Sequence, residues 1–130
     1  MVNIDYGRAE IDAFNSAAGT GTIHYEESVV REAVALYDQM ITGLTAIADR
    51  LRDAINLTGF GGFESAQQLQ QGFSTKAADG IVVVQQIIEG AMRLQEAYLR
   101  AGGMISEADQ INADTIRYVS QNIGIGSDLT

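Results

Sequence analysis

The sequence predicts an all-α fold: a long antiparallel helical hairpin that assembles with a second hairpin as a four-helix bundle dimer. Three observations predict it. Proline is absent from all 130 residues, which leaves long helices open to the chain. Apolar residues recur at steps of three and four over two long stretches, the signature of a helix with one apolar face. Those stretches are separated by Gly59-Phe-Gly-Gly62, three glycines in four positions, where the backbone is free to reverse.

Residues 1–22 read as an N-terminal extension. Ile4, Ile11 and Phe14 predict a short amphipathic helix over 8–16, followed by a linker, Ser16-Ala-Ala-Gly-Thr-Gly-Thr22. Thr22 is placed to cap the next helix. From Ile23 to Asn56, Ala33, Tyr37, Met40, Leu44, Ile47 and Leu51 form a heptad-like seam. Val30, Leu36, Ile41, Ala48 and Ile55 widen it beyond what one neighbouring helix covers. The turn is expected over 57–64, with Phe60 and Phe63 plugging the end of the hairpin. Ser65, three residues before Gln68, fits a capping box for the second helix.

That second helical stretch extends from Ser65 to Asn122. Leu69, Phe73, Ala77, Ile81, Val84, Ile88 and Ala91 share one face, continued by Leu94, Tyr98, Ala101, Ile105 and Ala108. Ile81-Val-Val-Val84 has strand propensity, but helical spacing continues on both sides of it. Gly102-Gly103 is the predicted break, and Ser106-Glu-Ala-Asp109 is placed to cap a new segment after it. The domain reading is therefore an extension at 1–22, a hairpin at 23–122 and a frayed tail at 123–130.

A net charge of -9 argues against nucleic acid and against anionic lipid as partners. Its bland reading is solubility. With no cysteine there is no disulfide framework and no thiolate metal site. Met1-Val-Asn-Ile-Asp-Tyr6 does not read as a secretory signal, and Ile81–Val84 is far too short to span a bilayer.

Chemistry finds little to rest on. His24 is the one histidine, and Tyr-Glu-Glu-Ser after it lacks the lysine and glycine that seat a phosphate. A dimetal bundle needs Glu-x-x-His pairs, which one histidine cannot supply. Ser65 reads as a cap rather than a nucleophile. No enzyme activity, cofactor or metal is expected. The working surfaces are expected to be the Ala33–Leu51 and Val84–Tyr98 stripes. Tyr37, Met40, Leu44, Ile47, Leu51, Val84, Ile88 and Tyr98 are the expected hairpin and dimer interface. Rods of thirty-odd residues, about 50 Å long at helical rise, bury only the seam between them. The extension and the part after Gly103 supply some further cover, and a partner chain is the more natural source of the rest.

A helix, then Phe60-Gly61-Gly62, then a second long helix resembles the WXG family of type VII secretion substrates, with Phe where that family most often has Trp. Residues 60–114, with Gly-Phe-Gly, then Gln-Gln-Leu/Gly-Phe, then an alanine-rich helix ending in Ala-Asp, also resemble small actinobacterial secretion-associated helical proteins. The family's export signal, Tyr-x-x-x-Asp/Glu, has its nearest counterpart here in Ile105-Ser-Glu-Ala-Asp109, with Ile116 further along. The resemblance implies a secreted substrate, or a helper escorting a larger effector. It also implies export from the cytoplasm without a cleaved signal peptide. Its partners would be itself or a related small helical protein, and a secretion ATPase or effector. The alternatives from other classes are a self-assembling coat-type protein, and a bundle that binds a small ligand in a cavity opened by Gly72, Gly80 and Gly90.

Overall fold

The computed structural model describes residues 3–55, 62 and 64–124. These residues form four α-helices and no strand: α1 Arg8–Gly19, α2 Glu27–Ile55, α3 Glu64–Ala101 and α4 Ile105–Val119, closed by a π-helical turn, Ser120–Gly124. Phe60, Gly61 and Phe63 of the expected turn lie outside the described residues; Gly62 is exposed. Of the expected tail, residues 125–130 lie outside as well.

α3 is the central element. The contact pairs along α2 set its direction as antiparallel to α3. The Tyr25 amide donates to the Ala101 carbonyl at 2.9 Å. Gln95 Nε2 donates to the Val34 carbonyl at 3.1 Å and to Asp38 Oδ1 at 2.7 Å. Ser74 Oγ donates to the Ile55 carbonyl at 3.1 Å. Buried Gln95 thus has two partners on α2, and a slip of one residue would strand its amide. α4 folds back beside α3 after Gly102-Gly103, the break that the sequence marks. Gly103 takes φ +75°, a region glycine enters freely. The Met104 amide closes the turn on the Leu99 carbonyl at 2.9 Å.

α1 runs parallel to α3 on another side. The Ile4 amide meets Gln86 at 2.8 Å, Tyr6 Oη donates to Glu89 at 3.0 Å, and Asn15 Nδ2 to Glu96 at 3.0 Å. The three other helices therefore cover the C-terminal half of α3. Two apolar clusters hold α2, α3 and α4 together. One is Val30, Leu99 and Ala108, with Val34, Tyr98, Met104 and Ile111 packed on it. The other is Ala48, Val84 and Ile88, with Ile41, Leu44, Leu51, Met92 and Tyr118.

Four local expectations are corrected. α1 continues to Gly19, because Ala18 is buried and the Thr20 amide still reaches the Ser16 carbonyl at 3.0 Å. Thr22 does not cap α2: its hydroxyl is shared with Thr20 at 2.9 Å, and α2 begins at Glu27. The docking of Tyr25 on Ala101 holds residues 23–26 out of the helix. Ser65 lies inside the first turn of α3, which begins at Glu64. Ser106 likewise lies inside α4, whose N-cap position is Met104, with no side-chain cap bond.

Candidate interaction face

Among the described residues no group of three or more His, Asp or Glu side chains is placed to hold a metal ion. No described helix is long and apolar enough to cross a membrane. His24 is exposed in the connection between α1 and α2.

Six of the eight predicted interface residues pack within the chain. Val84 and Ile88 are buried, and Leu44 and Leu51 pack against them. Tyr98 is the hub of an aromatic cluster. Its ring lies 6.0 Å from Tyr37, 5.9 Å from Tyr25 and 5.0 Å from Phe14, the last edge-on. Desolvation raises the Tyr98 hydroxyl above its ordinary pKa, and Tyr37 and Tyr25 add to it. The chain's own segments thus supply the cover expected mainly from a partner, since α4 and residues 4–25 fill the positions beside these side chains. Met40 and Ile47 are the other two, and they face out, 43% and 45% exposed.

The exposed side chains define a bare flank of α2. One side of α2 reaches α4 through Arg31, which forms a double hydrogen bond with Glu107, one arm at 2.6 Å. The Arg31 bond holds the Glu107 carboxyl below the usual carboxylate range. The opposite side carries Val29, Leu36, Met40 and Ile47, all exposed, with Leu36 at 59%. At a helical step of 100° per residue these four share one side of α2, about a quarter turn or more from buried Val30 and Ala48. Gly43 lies among them, and a Cβ there would meet nothing within 4 Å.

Other glycines have visible neighbours. A Cβ at Gly80 would come 3.2 Å from Leu51 Cδ1, and one at Gly90 would come 2.7 Å from the Tyr6 ring. These are close approaches between elements, not walls of a ligand cavity. Gly72 on α3 is open like Gly43. The flank leads to a shallow apolar cleft of about 200 Å³ between α2 and α3, lined by Leu51, Ala54, Phe73, Lys76 and Ala77. Leu69, one turn before Phe73, is exposed as well.

Sequence reading missed the polar seam under α1. Gln86, Glu89 and Glu96 are buried, the two carboxylates only 4% and 5% exposed. Both are paired: Glu89 with Arg93 at 2.9 Å and Glu96 with Arg100 at 3.0 Å. Tyr6 sits on this seam, and desolvation and then the Glu89 charge raise its hydroxyl above its ordinary value. The signal available in the sequence was the paired spacing Glu89/Arg93 and Glu96/Arg100 beside small Gly90 and Ala97. A charged row next to small residues marks a face that another backbone approaches closely.

The predicted export residues lie on α4. Ile105 opens the helix and is exposed, and Ile116 is exposed on the same side. Asp109 accepts a hydrogen bond from Arg100 Nη2 at 3.1 Å, the same guanidinium that holds Glu96. Comparison with protein-family models, with curated proteins and with solved structures finds no match for the chain.

Proposed function

We propose that this chain is a non-enzymatic helical hairpin protein that works by association. In this reading it is a WXG-type type VII secretion substrate, or the helper that escorts a larger effector. The observation that carries association is the bare flank of α2. α2 packs Val30, Val34, Ile41, Leu44, Ala48 and Leu51 into the apolar clusters and leaves Leu36, Met40 and Ile47 in water, in line and on one side. Contiguous apolar surface of this kind marks an interaction site more often than scattered exposed side chains do.

α4 offers Ile105, Asp109 and Ile116 on one outer face, where a secretion ATPase has access to them. The family's tyrosine is replaced by Ile105. Asp109 is 65% exposed at its side chain and accepts one hydrogen bond from Arg100 at 3.1 Å. Net charge of -9 keeps such a chain soluble before export.

Export is tested by expressing the tagged chain in an actinobacterial host with and without a working type VII secretion ATPase. The chain is expected in the culture filtrate of the first strain and only in the cells of the second. Substituting Asp109→Ala together with Ile105→Ala is expected to retain it in the cells with the fold intact by circular dichroism. Retention of the unsubstituted chain in both strains would rule out the export reading.

A further inference from the structure

The geometry points to a second copy of this chain as the occupant of the α2 flank, packed antiparallel along α2 about a two-fold axis midway between Met40 and Gly43. This rests on the association reading above and gives it a partner and a register.

Three features carry it. The first is spacing. Val29, Ala33, Leu36, Met40, Gly43, Ile47, Arg50 and Ala54 succeed one another by four, three, four, three, four, three and four. That series reads the same in both directions, so a two-fold axis at its centre lays it on itself. Leu36 then meets Ile47 of the other copy, and Met40 meets Gly43. Both pairs are large against large or large against absent, as a two-fold seam needs.

The second is space. Gly43 is set in the middle of a 29-residue helix, where glycine weakens the structure, and among the described residues a Cβ added there would meet nothing within 4 Å. The sulphur-bearing side chain of Met40 from the partner copy fits over it. At the ends of the seam, Val29, 50% exposed, falls level with Ala54 of the other copy. Ala54 lines the apolar cleft with Leu51 and Phe73, which is open to a side chain of that size.

The third is charge. The same register places Arg50 level with Ala33, beside Glu32 of the other copy and on the same side of the axis. Neither Arg50 nor Glu32 has an ion-pair partner in its own chain among the described residues. The two-fold axis makes this pair twice. For a chain of net charge -9, two such pairs at the seam offset part of the repulsion between copies.

The chain has no cysteine, so engineered thiols report directly. Leu36→Cys with Ile47→Cys in one chain is expected to give a disulfide-linked dimer under mild oxidation. Leu36→Cys alone is expected to stay unlinked, because the two copies of position 36 lie about 16 Å apart along the axis. Arg50→Glu is expected to weaken the dimer about tenfold, and adding Glu32→Arg to restore it. Gly43→Leu should keep the fold by circular dichroism and lose the dimer.

Efficient linkage by Leu36→Cys alone would mean parallel pairing and would overturn the register while leaving association standing. An unsubstituted chain that is monomeric at every concentration by light scattering would overturn self-pairing, and the export assay would then bear on a different partner. Large open-ended assemblies would overturn the closed two-fold arrangement and favour the coat-type reading.

Discussion

Single residues divide by what lies next to them. Gly90→Ala puts a Cβ where the Tyr6 ring now sits, 2.7 Å away. The ring must move and its bond to Glu89 is lost, at a cost of about 1–3 kcal/mol, seen as a lower denaturation midpoint. Gly43→Ala meets nothing, so the isolated chain should gain up to about 1 kcal/mol from helix propensity. Ile88→Ala empties a site 2% exposed at the meeting of α2, α3 and α4, and should cost about 2–5 kcal/mol.

The tyrosines give the pH dependence. The hydroxyls of Tyr6, Tyr98 and Tyr118 are all raised above 10.0, with desolvation the leading cause. A raised folded-state pKa gives stability that is complete below the ordinary value and lost as pH climbs through the folded value. The melting temperature should therefore fall as pH rises above 10.0, and Tyr6→Phe with Tyr98→Phe should make that fall shallower.

At the scale of elements, much of the helical layout is legible in the sequence. The steps of three and four along 33–51 and 69–108, with no proline, find α2 and α3; Gly102-Gly103 finds the break before α4. The capping residues mislead for a physical reason. Thr22, Ser65 and Ser106 have the right side chains, but helix ends are set by tertiary contacts such as Tyr25 on Ala101, which no local pattern contains. The stripe on α2 is legible as too wide for one neighbour. Which of its residues face inward is not. Leu44 and Met40 are both apolar, and only the position of α3 decides that the first packs against Val84 and Ile88 while the second stays exposed.

Uneven cover along α3 predicts uneven protection. Residues 81–101 are wrapped by three helices, whereas 64–75 carry exposed Leu69 and Phe73. Amide hydrogen exchange should be slowest over Ile81–Ala101 and faster over Glu64–Thr75 in the isolated chain. Equal rates across α3 would contradict this packing. The acid side is weaker but has a definite sign. The Arg31–Glu107 bond ties α2 to α4 and is exposed. Its contribution is present above the ordinary carboxylate range, is lost as pH falls through the lowered Glu107 value, and shrinks in high salt.

At the scale of the whole molecule, the described residues close a core around the C-terminal half of α3 and leave the α2 flank open. Periodicity alone is enough for the fold class. The share of cover that belongs to the chain's own α1 and α4 requires the three-dimensional arrangement, because both are short and residues 4–15 meet α3 in part through polar bonds from Ile4, Tyr6 and Asn15. Leu36, Met40 and Ile47 remain bare, and the proposed function depends on their being covered by another chain in solution. Light scattering across a concentration series tests this most directly, on the unsubstituted protein and on Met40→Glu with Ile47→Glu. Association through this flank predicts twice the 13.9 kDa chain mass for the first and the single mass for a fully folded second. The same mass for both proteins at every concentration would contradict it.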